Sequence, residues 1–474
     1  MFLIFIILSF ILSLSIYLVR NDLYTKIISS LFLLFLILII GYAYLHLEET
    51  NSWYFKFDNP GVLLALVLGI LSLATFYHSF LYLKRHKFLV KQEAGYYSTL
   101  IMLITAMMSA YFAENIAVLW ISIETTTLFV SILIFHERTK EALEAAWKYL
   151  FVSSVGVALA FIGILFLSIT ASSSGITDLS LSHLLNVTQL MNPIWLKMAF
   201  LLTLTGFSAK MGIFPLYTVA VDAHTVAPPP ISAFISTTLM NVGFLGIFRV
   251  FTVVAQTEVL QWAQNVLIIA GVISIFMSAI QLLRIKHYKR MFAFSSLEHM
   301  GLVALGLGIG GIGYYAVFLH LVFHSFAKAG LFYQIGQVHQ YFKSYWIKDA
   351  AGYFNINPTG GLMLILGLIT ILAIPPSGLF ISEFLIFKAM FVQGQYYIAV
   401  FVLILLTVII YSFSKNILHL LYGEADKDVE QKLVKANPYE TISQFILFGL
   451  VIYLGINPPL FFTNLINNAI AILN

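Results

Sequence analysis

The stretch Gly206-Phe207-Ser208-Ala209-Lys210-Met211-Gly212-Ile213-Phe214-Pro215 decides how this chain is read. It sets a lysine inside an apolar run and follows it, five residues later, with a proline. Proline removes a backbone donor and clashes with the preceding turn, so the run is a helix that breaks beside Lys210. A charge at the centre of a bilayer costs about 2.5–3.5 kcal/mol even on the lenient insertion scale, and such charges mark ion paths. Carbonyls freed at the break, with room for water, make Lys210 the strongest proton-accepting candidate. Burial and a neighbouring carboxylate act on a lysine's charge in opposite senses, so such a pair can be tuned as a switch.

The rest of the chain carries the same signature. Hydrophobic residues make up 60% of the 474 and charged residues 10%, with a mean hydropathy of +0.94. A soluble domain carries about 25% charged residues, so the core expected here is a membrane bundle with no sizeable aqueous domain. There is no cysteine, which excludes disulfides, thiolate zinc sites and protein-ligated iron–sulfur clusters. The net charge of +4 reflects basic loops and not a nucleic-acid surface.

Runs long enough to cross about 30 Å of hydrocarbon fall near residues 2–19, 25–47, 61–83, 95–113, 115–135, 142–170 and 195–222. A second set falls near 230–253, 262–283, 290–309, 312–340, 361–391, 396–421 and 438–460. The expectation is an all-α polytopic membrane protein of about fourteen transmembrane helices, with 95–135 the least distinct division. The first run lacks a basic start and a small-residue cleavage site and is read as a retained helix, not a signal peptide. The connecting loops alternate in charge. One side collects Arg20, Lys26, Lys84, Arg85, Lys87, Lys91, Arg138, Lys140, Arg284, Lys286, Lys289, Arg290, Lys343, Lys348, Lys427, Lys432 and Lys435; the other has little beyond Lys56. By the positive-inside rule the basic side is cytoplasmic and both termini face outward, in the cell inner membrane. The basic 84–91 stretch meets lipid headgroups or a partner, or serves only as a topogenic signal. The extended aqueous loops are Ala171–His183 and Glu424–Lys435.

Several further residues are candidates. Glu124 lies mid-run in Ile123-Glu124-Thr125-Thr126-Thr127 and must neutralise or find a partner, either as a static ion pair or as a working group. His320, His324 and Lys328, spaced by four, share one helical stripe. A His-x3-His pair is one half of a metal site, but no acidic third ligand or cysteine is evident nearby, so a protonatable relay is expected and no metal. Glu383 follows a second break at Pro375-Pro376-Ser377-Gly378, and Lys388 beyond it either snorkels or faces a partner. Glu144 and Lys148, at i and i+4, form a local pair or a relay entrance. The breaks at Pro215 and Pro228 in the first half and at Pro375 and Pro376 in the second give a weak internal symmetry, the usual pointer to a transport site. Gly306-Leu307-Gly308-Ile309-Gly310-Gly311 has no strand before it and reads as an interhelix turn, not a phosphate loop.

The ordered motifs have a family likeness. Lys210–Leu216, then Asp222-Ala223-His224-Thr225-Val226-Ala227-Pro228-Pro229-Pro230-Ile231-Ser232-Ala233, then Lys289–Ser296 and His320–Phe332 resemble the proton-translocating membrane subunits of respiratory complex I. Multisubunit cation/proton antiporters and group 4 membrane-bound NiFe hydrogenases carry the same subunits. The likeness runs from roughly residue 60 to 420. It implies two inverted five-helix repeats, each with one broken helix. These would be residues 95–253 and 254–421, preceded by N-terminal helices over 1–94 and followed by a cytoplasmic loop and last helix over 422–474. It implies a hydrophilic axis through Glu124, Lys210, His224, His320, His324, Lys328 and Glu383, with Glu124 paired to Lys210 and Glu383 at the outlet. The long lateral helix of one complex I subunit is not expected.

The sequence departs from the family pattern at three places. Asn241 stands where several relatives carry lysine, Val226 where they carry glutamate, and His287 where they carry aspartate. Without that lysine, water or Ser236 has to bridge from Lys210 toward Lys328. Asn241 and Ser295–Gly301 resemble the hydrogenase-associated (hydrogenase-4 F-type) branch. The resemblance implies a non-catalytic, proton-translocating subunit that binds no cofactor itself. Its expected partners are other membrane subunits and a peripheral redox arm holding a NiFe centre, iron–sulfur clusters or quinone. The moved ion is H⁺, or also Na⁺. The rival readings are a subunit of a multisubunit Na⁺(K⁺)/H⁺ antiporter, a non-conducting membrane anchor and, as a smaller third, a module coupled to inorganic-carbon uptake, which borrows the same fold.

Overall fold

The computed structural model describes residues 1–86, 88–424 and 438–473. Lys87, Lys427, Lys432, Lys435 and the aqueous stretch read at Glu424–Lys435, from residue 425 on, lie outside the described residues. The chain is helical almost throughout. It runs α1 (Phe2–Val19), α2 (Asp22–Leu45), α3 (Asn59–His86), α4 (Val90–Tyr111), α5 (Ile116–Ile134), α6 (Lys140–Ser173), α7 (Leu181–Asn186), α8 (Pro193–Met211) and α9 (Thr218–Val226). It continues with α10 (Pro229–Phe234), a π-helical turn over Ile235–Leu239, α11 (Met240–Ala255), α12 (Leu260–Leu283), α13 (Tyr288–Ile309) and α14 (Ile312–Phe342). The last are α15 (Tyr353–Ile356), α16 (Pro358–Ile371), α17 (Gly378–Val392), α18 (Tyr396–Tyr422), α19 (Ile442–Ile456) and α20 (Leu460–Ile470).

Among the described residues, eleven helical stretches are long and apolar enough to cross a membrane, and two shorter apolar helices accompany them. Each of the fourteen runs read from the sequence coincides with a helix or with two helices joined at a break. Within 95–135, α4 stops at Tyr111 and the Asn115 side chain caps α5 by accepting from Ala117 N at 2.9 Å. The separate helix α20 was not anticipated; Pro458 and Pro459 end the preceding segment and let a new helix start. The outer faces are apolar: on α1, Ile4, Ile7, Phe10 and Ile11 are exposed while Ser9 and Ser13 turn inward. Ser13 Oγ lies 2.8 Å from Ser98 Oγ on α4. Apolar outside and small or polar inside is the pattern of a protein in lipid, and this is a multi-pass integral membrane protein.

Two compact units are distinguished by internal packing. The first is Met1–Pro228, Thr238–Val266 and Phe461–Asn474; the second is Pro229–Thr237 and Leu267–Leu460. In the first, α6 and α8 approach backbone to backbone through glycines. A Cβ on Gly206 would fall 2.4 Å from Gly156 O, and one on Gly163 would fall 2.8 Å from Ala199 O. In the second, α12 and α13 meet the same way, at Gly271 and Gly301. Small residues permit such contacts, which in lipid replace the hydrophobic drive between helices.

Loops of the first unit join on one face. The Met1 amino group donates to Asn51 Oδ1, Asn115 Nδ2 to Asp178 Oδ1, and Gln189 Nε2 to Gln256 O. Gln256 Nε2 in turn donates to Ile472 O, so the first and last described segments share that face. The turn at Gly310 and Gly311, both with positive φ (78° and 56°), joins α13 to α14 as a tight connection and holds no phosphate-loop geometry.

Candidate functional site

Both helix breaks are built by the local sequence around a serine. At the first, α8 ends at Met211, and Gly212 takes a left-handed conformation (φ 75°) that its neighbours disfavour. Ser208 O accepts from Gly212 N (2.8 Å) and Ile213 N (3.2 Å), and Ser208 Oγ accepts from Leu216 N (3.3 Å). The segment then passes Pro215 into α9, which stops before Pro228. At the second break α16 ends at Ile371, and Ser377 caps α17 by accepting from Leu379 N while donating to Thr370 O (3.1 Å each). Pro375 and Pro376 lie between. Backbone groups that would be orphaned in lipid are thus satisfied by short side chains.

The first unit holds one set of candidates. Lys210, at the end of α8, is buried, and its Nζ donates to the Tyr149 hydroxyl at 2.9 Å and sits 4.9 Å from that ring's centroid. Glu124 on α5 is half-buried and accepts from Ser154 Oγ (2.8 Å) and Thr127 Oγ1 (3.3 Å). Tyr149 and Ser154 both belong to α6. None of the described ion pairs joins Glu124 to Lys210; α6 supplies the partner of each. Gly243 on α11 lies against the backbone of Lys210 and Met211. His224 on α9 and Asn241 on α11 are fully buried. Glu144 and Lys148 form an exposed ion pair of 2.5 Å, a local surface contact.

The second unit holds a denser set. Lys328 Nζ donates to Phe292 O at 2.8 Å and is fully buried, as are His320 and His324. His320 on α14 faces His299 on α13, with Nε2 to Nδ1 at 3.1 Å, and the His324 ring lies 5.2 Å from that of His299. His299 Nε2 is 3.5 Å from Glu298 Oε2, and its Nδ1 is 3.9 Å from Glu383 Oε1. Ser236, in the π-helical turn, hydrogen-bonds Ser296 (2.7 Å). Lys388 is exposed and lines a groove of about 560 Å³ whose wall includes Glu383.

The hydrogen positions in this cluster follow from the partners. Ser382 Oγ donates its only hydrogen to Leu379 O (2.9 Å), so it accepts from His320 Nδ1 (3.0 Å). In a neutral ring His320 Nε2 is then an acceptor. If His299 donates to it from Nδ1, the bare Nε2 of His299 faces a carboxylate. If Nε2 carries the hydrogen instead, two lone pairs meet at 3.1 Å. His299 also hydrogen-bonds the Ile371 backbone, and one additional proton on the cluster satisfies the imidazole and carboxyl contacts together, so the cluster is arranged to take up and pass on a proton. Tyr149, Glu298, His299 and Ser382 were missed as site residues in the sequence. Tyr149 lies beside Lys148, and Glu298-His299 lies inside a motif already singled out, but nothing local tells which side chains converge.

The architecture is that of a many-helix membrane protein with two broken helices and buried protonatable groups in each unit. The chain belongs to the NADH:quinone oxidoreductase/Mrp antiporter transmembrane family, whose model matches residues 113–410. It is 33% identical over 303 residues to the hydrogenase-4 component F homolog of Methylacidiphilum infernorum (isolate V4), covering 63% of this chain and 64% of that one. It is 25% identical over 445 residues to the Na(+)/H(+) antiporter subunit A1 of Staphylococcus aureus (strain JH9), covering 88% of this chain and 54% of that one. The match thus spans less than two thirds of the length of these relatives. Its fold is similar to that of a chain in the membrane-bound sulfane sulfur reductase, an archaeal respiratory membrane complex. The TM-score is 0.86 and the identity 22%, over 100% of this chain and 97% of that one.

Proposed function

We propose that this chain is the proton-translocating membrane subunit of a membrane-bound NiFe hydrogenase or complex I-like oxidoreductase. The observation that carries the reading is the buried chain of proton-exchanging groups Glu298, His299, His320 and Ser382, with Glu383 alongside. A non-conducting anchor has no need of such a chain, since each buried polar group is costly in lipid unless it works. Its two five-helix repeats, 95–253 and 254–421, each carry one protonatable set. Electron transfer in partner subunits, where any NiFe centre, iron–sulfur cluster or quinone resides, biases Glu124 and Lys210. Tyr149 holds the lysine ammonium until that bias releases its proton. The second set, Lys328 with the histidines, then delivers a proton at Glu383. His224, Ser236 and Asn241 line the interior of the route, and the basic loops lie on the cytoplasmic side, with both termini outside.

Lys210→Met keeps bulk and removes the charge. It abolishes proton uptake into inverted membrane vesicles energised by the electron donor, while the complex remains assembled. Normal uptake by an assembled Lys210→Met complex would remove this role. The second reading, a subunit of a Na⁺(K⁺)/H⁺ antiporter, is favoured by the match to antiporter subunit A1 along 88% of the chain. On that reading an imposed Na⁺ gradient moves protons with no electron donor present.

A further inference from the structure

We propose that His299, His320 and Glu383 form a binding site for a divalent transition-metal cation, with Zn²⁺ the fitting ion. The three come from three helices, α13, α14 and α17, and offer His299 Nδ1, His320 Nε2 and a Glu383 carboxylate oxygen, all within 4.8 Å of one another. Zn²⁺ with ligands at about 2.0–2.1 Å in a tetrahedron sets neighbouring ligand atoms about 3.3–3.4 Å apart. The two distances here, 3.1 Å between the imidazole nitrogens and 3.9 Å from Nδ1 to Oε1, lie on either side of that edge. The third edge, from His320 to Glu383, is at most 4.8 Å, so side-chain adjustment of up to about 1.4 Å closes the set, and a three-ligand site leaves a fourth position for water.

Two further observations point to a ligand. Metal-bound imidazole characteristically donates its other nitrogen to a fixed acceptor. His320 does so: Nδ1 is held by Ser382 Oγ, whose own hydrogen is committed to Leu379 O, so Nε2 is presented bare toward His299. The charges are also favourable. Glu298 and Glu383 both place a carboxyl group beside His299, and a bound cation stabilises their ionised forms in a low dielectric. The cation takes the place of the extra proton that otherwise reconciles the two facing imidazoles. The sequence alone gave no acidic third ligand for a His-x3-His pair. The fold supplies one from α17, and recruits His299 from α13 in place of His324.

Binding stands independently of the function proposed above; its consequence rests on that function. Zn²⁺ at this site immobilises both imidazoles and the outlet carboxylate, and so stops proton transfer through them.

The test is metal binding by the purified full-length chain in detergent, with Zn²⁺ alone as the probe. The readouts are retained metal after desalting, thermal stabilisation, and the zinc X-ray absorption edge. The expected result is one retained equivalent with two imidazole nitrogens in its coordination sphere and a raised melting temperature. His320→Gln and Glu383→Gln abolish retention. Should either variant fold poorly, Ser382→Ala leaves all three ligands in place and weakens binding about 10–100-fold by releasing the imidazole. His183→Ala, which breaks the exposed His183–Asp178 contact, leaves retention intact. Absence of a retained equivalent overturns the proposal. So does loss of retention in His183→Ala, or undiminished affinity in both His320→Gln and Ser382→Ala.

Discussion

Gly243→Ala tests the placement of Lys210 most directly. A methyl group at this position would lie 2.3 Å from Met211 N, 2.7 Å from Lys210 C and 2.8 Å from Lys210 Cβ. Carbon atoms pack at about 3.5–4.0 Å, so the end of α8 has to retreat by about 1 Å. Two of the three obstacles are backbone atoms, which cannot swing aside. Overpacking of this kind costs about 1–3 kcal/mol, against which the better helix propensity of alanine returns about 1 kcal/mol. The larger effect is on transfer, because about 1 Å of misplacement at a reacting group costs on the order of 10²-fold in rate. The Tyr149–Lys210 contact of 2.9 Å is the geometry at stake. Proton uptake by inverted vesicles, normalised to assembled complex on native gels, is expected to fall by about that factor. Gly449→Ala on α19 is the control, since nothing lies within 4 Å of its added methyl. Uptake by Gly243→Ala equal to that of Gly449→Ala would refute the claim that the α8–α11 contact sets the position of the lysine.

Other outcomes follow from contacts elsewhere. Arg249 is buried and makes a bidentate pair with Asp58 (2.8 and 3.2 Å) while also donating to Tyr111 O (2.8 Å). Arg249→Met leaves Asp58 uncompensated and is expected to destabilise by about 3–5 kcal/mol, read as a lowered melting temperature that Asp58→Asn partly restores. His287 caps α13 by accepting from Arg290 N, and burial, with Lys289 and Arg290 nearby, lowers its pKa to about 4. Protons therefore bind the unfolded state more readily between pH 6.5 and 4, so stability is lost as pH is lowered through that window. His287→Asn, which caps without titrating, is expected to flatten the melting-temperature profile there. Glu144→Gln removes a solvent-screened exposed pair and should leave the melting temperature nearly unchanged, with proton uptake unchanged.

The membrane class, the helical runs and the positions of both breaks are legible in the sequence. These are local consequences of composition, of proline geometry and of the bilayer's demand that each spanning segment satisfy its own backbone. The sequence also shows that Lys210, Lys328, His320, His324 and Glu383 merit attention, because a polar group inside an apolar run is visible without any fold. His287 shows how far such reading reaches: it caps its helix by accepting from Arg290 N, because a neutral imidazole also accepts a hydrogen bond.

Which side chains meet was decided by tertiary structure alone. Glu124 and Lys210 each find a hydrogen-bond partner on α6, in Ser154 and Tyr149, while the Glu124 carboxylate still acts on the Lys210 ammonium without a direct ion pair. His299 is brought to His320, and Glu383 to both, from helices distant in sequence. Helix periodicity tells which residues share a face, but not which faces pack together. In lipid that choice rests on close approach at small residues, such as Gly156 against Gly206 and Gly271 against Gly301, which leave no mark in hydropathy.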